Sequence, residues 1–392
     1  MFHVKHFPNV RKGGTMSTKE KINYYSLDKI LKKNTQYKVI FGKRSNGKTY
    51  AVLDRALRRY FKDGTETAYI RRNREDLIGK NGQTLFNNHI QNGLIEKYSK
   101  GVWTDVYYYG KRWYFCRWEE DDKGHRQRIT DEKPFCYGFV LSGYEHDKST
   151  SYPNVGLICF DEFLSRTNYL PDEFVLFMNC ISTIARLRTD VEIFMLGNTV
   201  NKYCPYFSEM GLKNVKNMQA GTIDVYKYGE SDLRVAVEYT APTTGATGKG
   251  NVLFAFNNPK LQMITHGDWE IDIYPHLPYR YKNDDILYTY FVEFDGETLQ
   301  CEILRGGDDF DTGKRIDAVI TYIHLKSTEI RHPEKDVIFS PEMSPLKNHY
   351  TRLTHPIDKR TQKIVECFRR DKVFYQNNEV GEIMNNYLKW CD

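Results

Sequence analysis

No apolar run in the 392-residue sequence approaches the roughly 20 residues needed to cross a bilayer. The opening Met1-Phe2-His3-Val4-Lys5-His6 also lacks the apolar core of a secretory signal. Eight cysteines are scattered, and no two have the C-x-x-C spacing of a zinc site or a redox pair, so reduced thiols are expected. A large excess of either charge sign is missing as well. A net charge of +6 permits a polyanionic partner without demanding one, so any nucleic-acid contact must come from local clusters. Internal repeats and long low-complexity segments are missing. What remains is globular: 40% hydrophobic and 28% charged residues, in a chain long enough for two domains.

Arg11-Lys12-Gly13-Gly14-Thr15 precedes Met16, and Lys-Gly-Gly can be encoded by a bacterial ribosome-binding sequence. Residues 1–15 are therefore expected to be translated leader with Met16 the natural first residue, and residues 1–20 as a whole to be leader or disordered N-terminus. Beyond them, strands alternate with helices: a buried strand at Tyr37–Phe41, a helix at Gly47–Phe61, and a strand at Thr67–Ile70. An aromatic hairpin follows at Trp103–Trp118, then buried strands at Gly138–Leu141, Val155–Phe160 and Val191–Leu196. Pro171–Ile184 fits a helix with proline at its start, where the missing N–H costs nothing. This alternation predicts an α/β domain with a mainly parallel sheet over residues 21–210. The texture then shifts to Tyr-rich alternating strands (Gly221–Tyr228, Leu233–Tyr239) and a small-residue loop, Pro242–Gly250. Strands near Ile286–Phe294 and Thr298–Leu304 follow, with helices around Gln362–Arg370 and Glu379–Trp390. A linker is placed at 211–225 and a smaller α+β domain at 226–392.

Gly42-Lys43-Arg44-Ser45-Asn46-Gly47-Lys48-Thr49 matches G-x-x-x-x-G-K-[ST] at every fixed position, between a strand and a helix. The chemistry of phosphate binding explains each residue type. Gly42 and Gly47 let the backbone turn tightly, and the N–H groups of Ser45, Asn46 and the helix N-terminus offer positive potential. Lys48 reaches the phosphates of ATP, and the Thr49 hydroxyl ligates Mg²⁺. In Gly156-Leu157-Ile158-Cys159-Phe160-Asp161-Glu162, an apolar strand delivers Asp161 to the Mg²⁺ shell and Glu162 to an attacking water. Asn198, ending a third strand, is placed to sense the γ-phosphate; an asparagine closing a strand in a turn reads nearly as well.

Ile40-Phe41-Gly42, Tyr69-Ile70-Arg71-Arg72, Tyr152-Pro153-Asn154-Val155, Phe160-Asp161-Glu162-Phe163 and Ala185-Arg186-Leu187-Arg188 follow one another in an order and spacing that resembles the DNA-packaging ATPases of the phi-twenty-nine-like podoviruses. The resemblance is good over residues 20–210 and weak beyond. It implies an additional-strand P-loop ATPase fold followed by a ribonuclease-H-like vestigial nuclease domain. It also implies a ring, by family expectation a pentamer, that threads double-stranded DNA through the portal of an empty prohead. Such a protein works in the host cytoplasm at the portal vertex and is absent from the mature virion; a structural RNA is admitted among its partners. Arg186 then corresponds to an arginine finger acting on the neighbouring subunit, with Arg188 the fallback, and Lys148 to a second trans-acting cation. Arg71, Arg72 and Arg74, running on to Lys80, form the candidate DNA grip, against the competing reading that Arg71 works inside the ATP site. Lys123, His125, Arg126 and Arg128 read equally well as solvated surface or DNA contact. Two other readings of the phosphate loop are an unwinding or remodelling ATPase and a nucleotide-controlled assembly switch.

A two-metal nuclease needs several converging carboxylates. Glu293, Asp295, Glu302, Asp308, Asp309 and Asp311 are the acids of interest in the second domain, and a surface loop is the preferred reading of the last three. Nuclease activity is not expected.

Overall fold

The computed structural model describes residues 24–121, 124–143, 150–166, 169–241 and 273–391. The expected leader, Lys148 and the Pro242–Gly250 loop lie outside the described residues.

The first sheet contains β1 (Tyr37–Gly42), β2 (Glu66–Arg71), β3 (Asp105–Tyr109), β4 (Arg112–Glu120), β5 (Arg126–Thr130), β6 (Cys136–Val140), β7 (Val155–Asp161), β8 (Glu192–Asn198), β9 (Ile223–Lys227) and β10 (Arg234–Tyr239). Their order is β3-β4-β6-β2-β7-β8-β1-β10-β9, with β5 on β4. The run from β6 to β10 is parallel throughout. The antiparallel pairs are confined to the two edges. β1 and β7 are buried along their whole length, as befits strands covered on both faces. Short helices α1 (Asp28–Leu31), α3 (Lys80–Gln83), α4 (Asn87–Gln91) and α5 (Leu94–Tyr98) join the long α2 (Lys48–Asp63) around this sheet. α2 packs Val52, Leu53, Ala56 and Leu57 on one face, while α6 (Glu173–Ala185) and α7 (Pro205–Glu209) cover the other.

Two expectations need correction. The helix expected from Pro171 begins at Glu173, because Pro171 and Asp172 are the centre of a turn closed by Glu173 N–H on Leu170 C=O at 3.1 Å. Asp172 there is left-handed (φ 51°), which no helix tolerates. The linker at 211–225 does not separate the sheets either. β9 and β10 return to the first sheet, where β10 lies parallel to β1 with Tyr37 opposite Val235 and Phe41 opposite Tyr239. The alternating texture that suggested a new domain is that of an edge: β9, the outermost strand, has no fully buried residue.

The second sheet is built from β11 (Tyr279–Arg280), β12 (Ile286–Phe294), β13 (Glu297–Asp309), β14 (Arg315–Leu325), β15 (Val337–Phe339), β16 (His349–Tyr350) and β17 (Val373–Tyr375). Its order is β16-β15-β12-β13-β14-β17, with β11 on β13. The three long strands form an antiparallel meander, and β15, β16 and β17 add in parallel at the sides. α8 (Lys359–Arg369) and α9 (Asn378–Cys391) seal it with Ile364, Val365, Val380, Ile383, Met384 and Tyr387.

Candidate functional site

The carboxyl ends of five neighbouring parallel strands bring together Gly42, Arg71, Asp161, Asn198 and, just past β10, Thr240. Register explains the convergence: Gly42 lies opposite Asn198, and Thr240 N–H donates to Phe41 C=O at 2.9 Å. Open α/β sheets bind ligands at this edge.

The loop between β1 and α2 is held by its own side chains. Gly42 has φ 153°, and a Cβ there would stand 2.0 Å from Thr240 Oγ1, so glycine is obligatory. Asn46 Nδ2 donates to that same Oγ1 at 2.9 Å, and Gly47 turns left-handed (φ 93°) to start α2. Lys48 Nζ donates to Gly42 O (3.3 Å), Lys43 O (2.8 Å), Asn46 Oδ1 (3.2 Å) and Asn198 Oδ1 (3.3 Å). All four acceptors are neutral. Burial pushes the lysine down to about 8, and Asp161 only partly opposes this. A buried ammonium contacting dipoles alone is suited to an incoming anion.

Asp161 is buried, and burial raises its pKa against the pull of Arg71 and Tyr69. Its carboxylate accepts from Thr49 Oγ1 (3.2 and 3.1 Å) and from Tyr69 OH (2.8 Å). Thr49 and Asp161 thus present hard oxygen donors side by side, the kind Mg²⁺ takes while completing its shell with water and phosphate. Among the described residues no group of three His, Cys, Asp or Glu side chains is placed to hold a metal ion. Glu162 adopts φ 61°, rare for a residue with a side chain, and its half-exposed carboxylate pairs with Arg71 Nη2 at 2.5 Å. Arg71 further reaches Asp161 (3.9 Å) and Asp76 (3.5 Å). Of its two readings, the geometry therefore favours the one inside this site.

Arg72 does not belong to a DNA grip. It is 8% exposed, forked onto Glu173 (2.8 and 2.9 Å), and donates to the carbonyls of Glu162 (3.2 Å) and Phe163 (2.7 Å). Strand alternation is the reason: Arg71 points to one face of the sheet and Arg72 to the other, where α6 supplies Glu173. Arg72→Ala should leave Glu173 buried with only the Tyr206 hydroxyl and the Leu170 N–H and without its cationic partner, and cost about 3–5 kcal/mol of stability, read from urea unfolding. Arg74 and Lys80 are exposed. Replacing both by alanine should weaken duplex binding on every sequence alike and flatten its salt dependence by roughly one log–log unit per lost phosphate contact. An unchanged slope removes them from the grip. Arg126 and Arg128 lie over the rings of Trp118 (5.1 Å) and Tyr107 (3.6 Å).

Arg186 is exposed at the end of α6 with φ 52°, beside Leu187, which is 99% exposed. Arg188 is tied down instead, donating to the carbonyls of Tyr152 and Ile184 at 3.3 Å and to that of Val155. Of the aromatics upstream of the loop, Tyr25 donates to Glu238 (2.7 Å) and Leu27 is core, whereas Tyr24 stays 60% exposed against Gly47.

The family described as Podovirus DNA encapsidation protein (Gp16) matches residues 19–228, more than half of the chain. The chain belongs to this family. The resemblance carried by motif order is thereby established, and the matched stretch runs through β9. DNA packaging proteins of Bacillus phages phi29 and PZA are each 29% identical over 191 residues, 48% of this chain and 50% of theirs. That of Bacillus phage B103 is 30% identical over 176 residues, 44% of this chain and 47% of its own. The chain spans about half the length of the curated relatives it matches. Among solved structures, the bacteriophage Phi-29 viral genome packaging motor assembly is similar in fold, with 20% identity, TM-score 0.52, and coverage of 93% of this chain and 96% of that one.

In this family member, sequence reasoning missed three supports of the site. Tyr69 had a signal, since it alternates with Arg71 on the same face of β2. Thr240 and Glu173 had none: each meets its partner only through the order of strands and helices.

Proposed function

We propose that this encapsidation-family chain is an ATP hydrolase that drives double-stranded viral DNA through the portal of an empty prohead. The observation that carries the reading is the meeting of Lys48, the Thr49–Asp161 oxygen pair and Glu162 at one sheet edge. Lys48 and the N–H groups of Ser45, Asn46 and Gly47 bind the phosphates, and Thr49 with Asp161 holds Mg²⁺, which neutralises charge there when bound. Glu162 positions and deprotonates water once its carboxylate leaves Arg71, and Asn198 senses the γ-phosphate through its contact with Lys48. Arg186 serves a neighbouring subunit in a ring, expected to be a pentamer, docked at the portal vertex in the host cytoplasm and absent from the mature virion; a structural RNA is an admissible further component. Lys148 keeps its proposed trans role.

The reading is tested by mixing purified protein, empty proheads, unit-length duplex genome and ATP, then adding nuclease. DNA should become protected only with ATP, and a blunt duplex should be moved without strand separation. Protection independent of ATP, or unwinding, sinks the proposal.

A ribonuclease-H-like reading of the second sheet is supported by its strand order, β14-β13-β12-β15-β16, with β13 antiparallel and β15 and β16 parallel to β12. A vestigial reading is supported by where its acids lie. Glu302 accepts from Tyr281 and Gln300 at 2.7 Å, Asp295 pairs with Lys216 at 2.7 Å, and Asp309 closes its own turn on Thr312. Linear and supercoiled DNA should therefore survive incubation with Mg²⁺ or Mn²⁺. Cleavage lost on replacing Asp295 or Asp309 overturns this.

A further inference from the structure

The segment that follows Asn198 passes from one core into the other. Val200 and Cys204 are packed in the core of the first sheet, whereas Tyr203 between them belongs to the core of the second, its ring 6.4 Å from that of Phe294 at the end of β12. Asn201, 2% exposed, donates from Nδ2 to Asn386 Oδ1 on α9 at 2.7 Å and accepts Tyr203 N–H on Oδ1 at 2.9 Å. Asn386 in turn donates to Glu382 O at 2.8 Å. The Tyr203 ring carries Lys216 Nζ at 4.6 Å, and that ammonium pairs with Asp295 in the β12–β13 turn. On the other side, Val200 N–H donates to Asn198 O at 2.8 Å, and Thr199 N–H to Gly42 O at 3.3 Å. The path from the Lys48 contact to α9 therefore has little slack. Buried amides that use both oxygen and nitrogen fix one mutual geometry, because any other leaves a desolvated polar group unpaired.

We propose that the Asn201–Asn386 pair, with Tyr203 seated in the second core, positions Asn198 against Lys48, so that the carboxy-terminal unit and the phosphate loop set each other's geometry. Asn201 and Asn386 are positioning residues. The proposal rests on the reading of Gly42–Thr49 as a nucleotide site. Packed cores shift between discrete arrangements rather than stretching, so an Asn198 displaced by a phosphate carries Asn201 with it. Coupling is reciprocal: whatever nucleotide does to α9, restraint of α9 does to nucleotide affinity by the same factor.

Hydrogen exchange on the full chain, with and without Mg²⁺ and a non-hydrolysable ATP analogue, tests this. Analogue should protect residues 42–49 and also slow exchange in Asn378–Cys391 by about fivefold or more. With the analogue saturating, Asn201→Ala and Asn386→Ala should each keep the protection at 42–49 and lose the response in α9. A merely structural contact would speed α9 exchange equally with and without analogue and leave the difference intact; that result overturns the proposal. So does a wild-type chain protected at 42–49 with no response in α9, a result that stands even if neither variant folds. Lack of protection at 42–49 is recognisably different: it removes the nucleotide reading, and the coupling with it.

Discussion

Lys48→Ala is expected to abolish retention of a fluorescent ATP analogue, while Glu162→Gln retains it and hydrolyses ATP about a hundredfold or more slowly. The two losses differ because the side chains meet different parts of the reaction. Lys48 is a buried cation with four neutral acceptors, so its attraction for phosphate is little weakened by any competing carboxylate in direct contact. Removing it takes away the charge that phosphate binding requires. Glu162 lies at the rim with its side chain 56% exposed and paired to Arg71, so binding survives its neutralisation while proton abstraction does not. Thermal melting of both variants separates lost function from lost fold. Turnover near wild type in Glu162→Gln removes that residue from its role, and tight binding by Lys48→Ala removes the phosphate loop from its own.

Arg186→Ala should bind ATP normally yet hydrolyse it about a thousandfold more slowly in the assembled ring. Arg186 is exposed at the tip of α6 beside a fully exposed Leu187, as suits a side chain that reaches outward. Arg188, two positions on, anchors the carbonyl ends of α6 and of the turn before β7. Arg188→Ala is thus expected to lower stability. Because a finger acting in trans belongs chemically to the neighbour's site, Arg186→Ala and Glu162→Gln subunits fail for complementary reasons. Mixing them should restore part of the activity, since an interface can pair an intact Glu162 with an intact Arg186. A cis-acting arginine gives no rescue at any ratio, because every subunit then carries one defective site. Flat inactivity across mixing ratios, with assembly confirmed, counts against Arg186 in trans and moves the same test to Lys148.

The candidate phosphate loop and the acids that close β7 stand out in the sequence because each is a contiguous string whose residue types follow local chemistry. Gly42 and Gly47 are demanded by backbone angles, Lys48 and Thr49 by their place at the start of a helix, and Asp161-Glu162 by the end of an apolar strand. Most strands of the first sheet, and β12 and β13 of the second, though not β5, β11 or β14 to β17, could be read for the same reason, since alternation and apolar runs report burial face by face. Assigning strands to sheets could not. β9 and β10 looked like the start of a second domain, yet hydrogen bonding to β1 is a long-range choice that edge-like alternation does not reveal.

The same limit divides the candidate site. Sequence alone singled out Gly42–Thr49 as a candidate phosphate-binding loop and named its residues. Only the tertiary structure decided that Arg71 faces Glu162 while its neighbour Arg72 is buried on Glu173. It alone showed that Thr240 shapes the loop at Gly42, and that Asn201 joins the strand ending in Asn198 to α9. Each of these depends on which elements become neighbours across the sheet and between the two cores. Pairing of that kind is fixed by the joint packing of segments far apart in the chain, and no local run of residues encodes it.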